Sequence, residues 1–428
     1  MNNQYISIDT YCDVQSGFAF PSTSFVGSGI PIVRMSDLKA GKLKFKNTKY
    51  VPDSWLRISA PFILKRGDFL LGMSGSLSNY AVVTKDDEPA LLNQRVGRLK
   101  QRDENVDYDY ICYWLKSSYY TRYADIQGEG AAQKNISAKQ IGRFKYREIP
   151  LEKQKKISLI LNSIEAAIEK TEALIHKYQQ IKAGLMNDLF TRGVTADGKL
   201  RPPREQAPEL YKETPIGWIP KEWTTNYLKS HVKSTEYGIS TSLSDLENGI
   251  PVLRMNNIQQ NGFEVLDLKY SDNPEAYKIK LKPKDILYNR TNSMEHVGKT
   301  AIWKGELESC SFASYLVRIN LHTDTLISEY FSYWMSQVSS QNAIRRFATP
   351  AVQQVNINPT NLQKIIISVP IDIDEQVQIV HRLESYDRVI DIEKQKLFKL
   401  EKQKSGLMED LLTGKVQVKT NQEKPCHV

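Results

Sequence analysis

The feature that most constrains this chain is a long stretch that occurs twice, at Ile157–Val194 and at Ile379–Val416. The two copies align without a gap at a constant offset of about 222 residues (379 − 157), and similarity at a fixed spacing indicates a repeated architecture. Both contain G-L-M-x-D-L-x-T near their ends. Any fold for this chain must therefore use the same long segment twice.

In both copies, apolar residues fall on a frame of alternating steps of four and three residues, which is the seam of a heptad helix. In the first copy they are Ile157, Leu161, Ile164, Ile168, Ile175, Tyr178, Leu185 and Leu189. In the second copy they are Ile379, Leu383, Tyr386, Ile390, Leu397, Leu400, Leu407 and Leu411. Because one apolar stripe buries little surface by itself, we predict that the two helices pair with each other. The alternative is two ordinary amphipathic helices, each lying on its own domain.

Length and composition favour a cytoplasmic protein of two or three domains. The chain has 428 residues, a mean hydropathy of −0.46, and no apolar run near the ~20 residues that a membrane span requires. Its first residues, MNNQYISIDT, lack the pattern of a secretory signal. No C-x-x-C pair occurs among the four cysteines, which are Cys12, Cys112, Cys310 and Cys426. We therefore expect reduced thiols and no membrane partner.

The charge balance indicates a polyanionic partner. Lys and Arg number 58 against 49 Asp and Glu, which gives a formal net charge of +9. A basic globular protein without a membrane signal favours nucleic acid as that partner. A generic basic surface is the alternative that charge alone leaves open.

Short β-like runs between turn-forming residues indicate two mixed α/β domains, one before each helix. Five prolines between the first helix and the second domain favour an extended linker. The expected segments are a first domain at 1–150, a helix at 151–192, a linker at 193–222, a second domain at 223–370, a helix at 371–416 and a tail at 417–428. The predicted fold class is α+β.

The two domains also repeat each other. The matching pieces are Ile30–Met35 with Ile250–Met255, Lys65–Leu70 with Lys282–Leu287, Tyr110–Leu115 with Tyr330–Met335, and Gln133–Ser137 with Gln354–Asn358. Their offset stays near that of the helices. The chain is therefore expected to be built as domain, helix, domain, helix.

No arrangement of residues typical of catalysis is found in the sequence. There is no G-x-x-x-x-G-K-[ST] loop, no glycine-rich turn in the context of a nucleotide or S-adenosylmethionine site, and no Asn/Asp-Pro-Pro-aromatic stretch of amino-methylating enzymes. The six histidines are scattered along the chain. We expect no catalytic residue, no cofactor and no metal site in this chain.

Several repeated positions carry side chains that suit the reading of duplex DNA. Short hydroxyls, amides and arginines can hydrogen-bond to base edges in the major groove. The candidates are Arg34, Ser74, Ser76, Asn79, Gln133, Lys134 and Asn135 in the first domain, and Arg254, Asn289, Arg290, Asn292, Gln354 and Asn356 in the second. The alternative for the loop residues is plain turn chemistry. For Arg34 and Arg254 it is a structural ion pair.

The framework pieces repeat while the loops differ, as in MSGSLSNY against YNRTNSMEH. Two similar scaffolds with different loops would recognise two different short sequences, because the scaffold positions the protein and base contacts set the specificity.

This organisation resembles the specificity subunit of type I restriction–modification systems. The resemblance rests on the duplicated helix with its G-L-M-x-D-L-x-T ending, the twin domains with G/K-D-x-L and N-I-[S/N] pieces, and the start of the second domain at Glu213–Trp223. It covers nearly the whole chain. The first domain departs from the family because it lacks P-x-G-x-I-P-x-x-W and starts close to Tyr5-Ile-Ser-Ile.

The resemblance implies two target-recognition domains joined by two long antiparallel coiled-coil helices with pseudo-twofold symmetry, binding a bipartite site in double-stranded DNA. It also implies two methylation subunits docked on the helices and, in a full complex, two endonuclease/translocase subunits. Those partners would use S-adenosylmethionine, ATP and magnesium, and a methylation subunit would flip an adenine out of the duplex. This chain would carry no catalysis itself.

Helix length would act as a ruler in such a protein. A helix of about 35 residues is ~52 Å long, which corresponds to about 15 base pairs.

Two other functions remain open: a DNA-modifying enzyme with its own active site, and a coiled-coil scaffold that binds only proteins. Binding of S-adenosylmethionine by the purified chain would favour the first, and failure to bind duplex DNA would favour the second.

Overall fold

The computed structural model describes residues 4–128, 134–259, 262–351 and 354–419. The chain forms two compact units: unit 1 is Met1–Glu172 with Gln395–Val428, and unit 2 is Ala173–Lys394. The unit boundaries fall inside the two repeated helices, after Glu172 and after Lys394, which occupy equivalent positions of the repeat. Each unit therefore contains one globular domain and half of each long helix. None of the helices in the described part of the chain is long and apolar enough to span a membrane.

The first domain is mixed α/β. Its strands are β1 (Tyr5–Ser7), β2 (Cys12–Ser16), β3 (Ile30–Val33), β4 (Leu38–Lys39), β5 (Lys42–Leu43), β6 (Lys49–Val51), β7 (Phe69–Gly72), β8 (Tyr80–Val82), β9 (Leu91–Leu92), β10 (Val96–Gln101) and β11 (Lys145–Arg147). Its helices are α1 (Trp55–Ile58), α2 (Tyr108–Lys116), α3 (Ser118–Gln127) and α4 (Ala138–Gly142). The long helix α5 (Leu151–Arg192) follows.

The second domain has the same kinds of element. Its strands are β12 (Tyr211–Thr214), β13 (Gly217–Pro220), β14 (Trp223–Tyr227), β15 (Val232–Tyr237), β16 (Ile250–Leu253), β17 (Ile258–Gln259), β18 (Gly262–Phe263), β19 (Lys269–Ser271), β20 (Ile286–Asn289), β21 (Thr291–Asn292), β22 (Thr300–Ile302), β23 (Ser311–Phe312), β24 (Leu316–Leu321), β25 (Thr349–Ala351), β26 (Gln354–Asn356) and β27 (Ile366–Pro370). Its helices are α6 (Pro274–Lys278), α7 (Ser328–Ser336), α8 (Val338–Arg345) and α9 (Pro359–Leu362), and the long helix α10 (Ile373–Thr413) follows.

The two largest sheets of the first domain have counterparts in the second domain, strand for strand. An antiparallel sheet of order β2-β10-β7-β8 in the first domain matches β15-β24-β20-β22 in the second. A smaller sheet of order β6-β3-β9 matches β19-β16-β23, and in both the last pair is parallel. In the first domain the opening strand β1 pairs with the closing strand β11, and in the second domain β14, which follows the β12–β13 hairpin, pairs with the closing strand β27. The first domain thus has the same closing pair although it lacks the tryptophan-containing start.

The central strand of each larger sheet is buried on both faces, which explains its continuous apolar run. In the first domain, Phe69 and Leu71 of β7 share a core with α2, whereas Leu70 between them belongs to the core that includes β3. In the second domain, Ile286 and Leu287 of β20 divide in the same way between two cores. Alternate side chains of a strand point to opposite faces, so each sheet separates two apolar layers.

The repeated D-x-L piece is a structural motif that neutralises a buried arginine. Asp68 caps the backbone N–H three residues before it at 2.9 Å and pairs with the Arg98 guanidinium at 2.9 Å. Asp285 does the same in the second domain and pairs with Arg318 at 2.6 Å. Both arginines lie on the neighbouring central strand and are at most 11% exposed. A buried charge without its partner is strongly destabilising, which explains why the motif occurs twice.

Within unit 1, the halves of α5 and α10 run antiparallel. Ile157 and Leu161 of α5 share a core with Leu411 of α10, and one to two turns further along α5, Glu165 pairs with Lys404 at 2.7 Å. A higher residue number in α5 thus goes with a lower one in α10.

Within unit 2, the other halves of the two helices are antiparallel as well. Lys182 pairs with Asp387 at 2.5 Å, and Leu189 shares a core with Ile379 and Leu383. The predicted antiparallel helix pair is therefore confirmed in each unit. The two ion pairs are copies of one another, because the repeat matches Glu165 with Asp387 and Lys182 with Lys404.

The heptad seam is interrupted by polar residues at two positions per helix. Thr171 and Lys182 of α5 occupy seam positions and are 4% and 8% exposed. Glu393 and Lys404 occupy the equivalent positions of α10 and are half-buried. The apolar pattern of the sequence skips these positions, and polar groups at a seam fix its register.

Residues 193–222, predicted to be an extended linker, are folded. Strands β12 and β13 form a hairpin, and Val194 and Tyr211 are buried. Arg201 is buried against the carboxylate of Glu375 in the first turn of α10, and this carboxylate also accepts a hydrogen bond from Trp223 Nε1 at 3.0 Å. The proline-rich segment is therefore a packed part of unit 2, because the buried ion pair and the hairpin hold it in place.

Candidate nucleic-acid interface

In the first domain, two segments singled out from the sequence meet through their backbones. Ser74, just after β7, forms an isolated antiparallel bridge with Asn135. Gly75 N donates to Lys134 O at 2.8 Å, and Ile136 N donates to Met73 O at 3.0 Å. The loop after the D-x-L strand and the N-I-S piece are therefore neighbours.

The second domain makes the same junction with more regular pairing. Thr291 of β21 pairs with Asn356 of β26, and Ile357 N donates to Arg290 O at 2.8 Å. The Asn356 side-chain amide donates to Thr291 Oγ1 at 3.1 Å. Strand β25 extends this small sheet on its other side.

A third segment joins each junction, and the sequence analysis missed it. Met73 N donates to Arg95 O, and at the equivalent place Arg290 N donates to Tyr315 O, both at 3.0 Å. Arg95 and Tyr315 are exposed, and each lies three residues before the buried arginine of its domain. That shared spacing is the signal that could have found them. We call these meeting segments the loop edge: residues 73–79, 93–95 and 134–136 in the first domain, and 290–297, 313–315, 349–351 and 354–356 in the second.

The predicted residues of the first loop edge are mostly accessible. Ser76 is exposed and donates to Asn79 Oδ1 at 3.3 Å, and Asn79 is half-buried. Lys134 and Asn135 are exposed, and Lys134 pairs with Asp125 at 2.7 Å. Gln133 lies outside the described residues.

The second loop edge carries an arginine on an aromatic ring. The Arg290 guanidinium carbon lies 5.0 Å from the centre of the Tyr237 ring, and Tyr237 is 46% exposed. Asn292 is half-buried, as are Gln354 and Asn356. A guanidinium stacked on tyrosine is pre-oriented and retains donors for a ligand.

Two predicted contact residues are wrong because their side chains are buried. Asn289 is the last residue of β20 and is 0% exposed, and its amide points towards the carbonyl of Met255. Ser74 is 5% exposed. Both lie where the strand still pairs, so they belong to the framework instead of the loop.

Arg34 and Arg254 are tied into the framework beside the loop edge. Each opens a short 3-10 turn, and its backbone N–H donates at 2.8 Å to the side chain three residues on, Asp37 or Asn257. The Arg254 guanidinium also pairs with Asp267 at 3.1 Å. Their side chains remain 31% and 26% exposed. Their contact with DNA stays a prediction.

The described part of the chain has no group of three or more His, Cys, Asp and Glu placed to bind a metal ion. Burial raises the pKa of the Cys12 thiol to about 11 and that of Cys310 to about 12, so both are protonated at neutral pH. What the loop edges offer is hydrogen-bond donors, acceptors and cations on a fixed support.

Comparison with known proteins places this arrangement in one family. The family model described as "Type I restriction modification DNA specificity domain" matches residues 3–179 and 220–402. The putative type I restriction enzyme MjaX specificity subunit of Methanocaldococcus jannaschii is 29% identical over 208 residues, and the chain spans about half (49%) of its length. The MjaVIII specificity subunit of the same organism is 26% identical over 91% of this chain and 89% of its own length. The EcoBI specificity subunit of Escherichia coli is 22% identical over 91% of this chain and 80% of its own length.

Solved structures agree on the fold. A type I restriction–modification S subunit from M. genitalium superposes with a TM-score of 0.57 at 12% identity, covering 96% of both chains. A chain from a structure of type I R-M complex assembly has a TM-score of 0.50 at 14% identity, covering 97% of this chain and 99% of its own. Since the family model covers most of the chain in two copies, this protein belongs to the family of type I restriction–modification DNA specificity domains and carries two of them in one polypeptide.

Proposed function

We propose that this chain reads a two-part DNA site for a type I restriction–modification complex and leaves the chemistry to partner subunits. The observation that carries the proposal is the duplication of the loop edge. The same three segments meet in both domains through equivalent hydrogen bonds, yet their side chains differ. A shared framework that carries two different sets of loop-edge side chains is suited to recognising two different half-sites.

The charges of the loop edges support contact with DNA. The first presents Arg95 and Lys134, and the second presents Arg290 stacked on Tyr237. Lysine and arginine neutralise phosphates and supply most of the salt-dependent affinity. Arginine also reads guanine in the major groove through two hydrogen bonds.

The names of the relatives, which are specificity subunits of type I restriction enzymes, support assembly with other subunits. We propose that methylation subunits dock on α5 and α10, and that endonuclease/translocase subunits join a full complex in the cytoplasm. S-adenosylmethionine, ATP and magnesium would be bound by those partners.

Methylome sequencing of the host tests this function. Deletion of the gene should remove adenine methylation at one bipartite motif, and reintroduction of the chain should restore it. As a second measurement, the purified chain should shift duplex DNA in a gel, with an affinity that falls steeply with salt. Failure to bind any duplex would favour the protein-binding scaffold, and binding of S-adenosylmethionine by the chain alone would favour an enzyme.

A further inference from the structure

A row of exposed lysines follows the β4–β5 hairpin of the first domain. Its members are Lys44, Lys46 and Lys49, and we call them the lysine rim. Leu43 and Phe45 alternate with the first two lysines and pack on the core that includes β3, which leaves the lysine side chains in solvent. None of the three lysines forms an ion pair with a residue in the described ranges. The lysine rim is therefore a basic surface without compensating carboxylates in that part of the chain.

The lysine rim continues the first loop edge along the smaller sheet. Strand β9 is parallel to β3 and β6 is antiparallel to it, so the ends of β3 and β9 lie beside the start of β6. Asn93 of the loop edge donates its backbone N–H to β3 at 3.2 Å, and Lys49 pairs with β3 on its other side. The Arg34 guanidinium, at the end of β3, donates to the carbonyl of Asn47. One continuous edge therefore carries part of the loop edge, Arg34 and the lysine rim.

The equivalent edge of the second domain lacks this basic row. The three lysines are matched by Glu264, Leu266 and Lys269, at an offset of 220 residues (269 − 49). The same hydrogen bond aligns the two segments, because the backbone N–H of Lys44 and that of Glu264 each donate at 2.8 Å to the carbonyl seven residues before. Lys269 forms an ion pair with Asp245. The three positions thus carry a formal charge of +3 in the first domain and of zero in the second (−1 + 0 + 1).

Exposed lysines beside a base-reading edge suit the phosphates of the same duplex. The lysine ammonium is a point charge on a flexible stem, so it binds a phosphate but lacks the planar fork with which arginine reads a base. A half-site covers only part of the duplex, and its backbone continues past the loop edge to the neighbouring basic surface. Such phosphate contacts position a protein on DNA without adding sequence information.

We propose that the lysine rim binds the DNA backbone next to the half-site read by the first domain, so that the chain holds its two half-sites unequally. The first domain supplies a sequence-independent contact that has no counterpart at the equivalent edge of the second. The inference rests on the proposed DNA-reading function and adds to it a set of phosphate-binding residues and an asymmetry between the half-sites. Each phosphate that a lysine neutralises releases counterions, so the contact is measurable as a salt dependence of ~0.9 per phosphate in log affinity against log salt.

The test measures duplex binding by the full chain over a range of salt concentrations. In K44Q/K46Q/K49Q, the slope of log Kd against log salt should fall by about 2 to 3, from three phosphates at ~0.9 each. The affinities for the cognate and for a random duplex should fall by the same factor, because the lysine rim contacts no base.

The matched control removes the same charge from the same domain. K65Q/K85Q/K100Q changes three exposed lysines at the end of the larger sheet that lies opposite the loop edge, and it should keep the wild-type slope. The converse variant, E264K/L266K, places two lysines at exposed positions of the second domain's edge. It should raise the slope by about 2, from two added phosphates at ~0.9 each.

Phosphate-ethylation interference on the cognate duplex tests the asymmetry. Wild type should show more contacted phosphates at one half-site than at the other, and K44Q/K46Q/K49Q should remove that excess. An unchanged slope in this variant, or an equal fall in the control, would overturn the lysine rim while the proposed function stands. A larger loss on the cognate than on the random duplex would place the lysines on bases and contradict the phosphate assignment. No duplex binding by wild type at any salt concentration would overturn the proposed function and this inference together.

Discussion

At the residue scale, a buried glutamine ties each long helix to its own domain. Gln154 accepts from Asp107 N at 2.9 Å and donates to Ile149 O at 2.7 Å. Gln376, its counterpart in the repeat, accepts from Ile327 N at 3.1 Å and donates to Pro370 O at 3.0 Å. In each domain, one side-chain amide thus forms hydrogen bonds to a backbone carbonyl just before the long helix and to a backbone N–H of the loop that faces the helix. These two bonds set the direction in which the helix leaves the domain.

Replacement of Gln376 by leucine should therefore destabilise unit 2. Gln376 is 0% exposed, and Q376L leaves the Ile327 N–H and two carbonyls without this partner. We expect a loss of about 3 kcal/mol in the free energy of unfolding, measured by urea denaturation. Q378L, at a nearby half-buried position of the same helix, should change it by less than about 0.5 kcal/mol. Equal effects of the two variants would mean that the hydrogen bonds of Gln376 do not matter.

Lys284 occupies a backbone conformation that favours glycine. Its φ is 76°, and the equivalent Gly67 of the first domain has a φ of 89°. K284G should relieve strain worth ~1–2 kcal/mol, whereas K282G at a neighbouring exposed position should only add glycine's entropic cost of ~0.5–1 kcal/mol. We expect K284G to be the more stable of the two by about 1 kcal/mol in thermal melts. The reverse order would show that the Lys284–Glu329 pair outweighs the strain.

Arg290 is the residue of the second loop edge on which specificity should depend most. R290A removes a guanidinium already held on Tyr237, so we expect affinity for the cognate duplex to fall 10- to 100-fold, corresponding to ~1–3 kcal/mol. Competition gel shifts at fixed salt measure this. R388A, which removes an exposed arginine of α10, is the control and should bind nearly as wild type. If R290A weakened cognate and random duplexes equally, Arg290 would contact phosphate instead of a base.

Part of the site could be predicted from the sequence and part could not. The repeated pieces located the loops after β7 and β20, because the framework sequences of the two domains match whereas their loop sequences differ. The sequence does not show where a strand stops pairing, which is why Asn289 and Ser74 were assigned to the surface. Tyr237 was missed because the pairing that places it beside Arg290 connects strands distant in the chain.

At the scale of the elements, the two long helices are paired through a seam that is apolar except at two polar positions in each helix, of which Lys182 and Lys404 form the repeated ion pairs. The ends of α5 could be inferred from the sequence, since Pro150 precedes it and Gly193, with a φ of 63°, follows it. The ion pairs could not, because Glu165 and Lys404 are far apart in the chain. In unit 1, Glu165 lies between Lys404 at 2.7 Å and Lys116 at 3.1 Å.

The pairing of Glu165 predicts an acid-dependent loss of stability. Burial alone would raise the pKa of Glu165, but Lys116 and Lys404 together lower it below the ordinary 4.5. A depressed pKa in the folded state contributes stability above pH 4.5 that is lost as the pH falls below it. E165Q should therefore cost about 2 kcal/mol at pH 7, and this difference from wild type should shrink by pH 3.5. E169Q, at an exposed position of the same helix, should show no such change in chemical denaturation at either pH; an equal change would contradict the assignment.

At the scale of the whole molecule, each unit combines a domain with half of both helices. The sequence repeat predicted two domains and two helices in chain order. It did not show that the boundary between the two compact units falls within both helices, at equivalent positions of the repeat. Contacts between segments distant in the chain decide this grouping, and no local pattern reports them.

Helix length is expected to set the spacer of the DNA site. Insertion of one heptad after Lys170 of α5 and one after Ile392 of α10 lengthens both helices by ~10.5 Å and keeps the seam in frame. We expect the methylated motif to gain a spacer of about 3 base pairs, as read by methylome sequencing. Two-residue insertions at the same points turn the seam by about 200° and should instead lower Tm. An unchanged spacer in a stable heptad variant would rule out the ruler.

The composition of the units has a consequence for synthesis of the chain. Unit 2 is one uninterrupted stretch, whereas the core of unit 1 includes Leu411, Leu412 and Val418, which the ribosome makes after the whole of unit 2. Unit 1 is thus the first unit whose translation begins and the last whose core is complete. Unit 2 can fold while the core of unit 1 still lacks its residues from α10. A stalled or truncated message would release a finished second half beside an incomplete first one, exposed to proteases and chaperones.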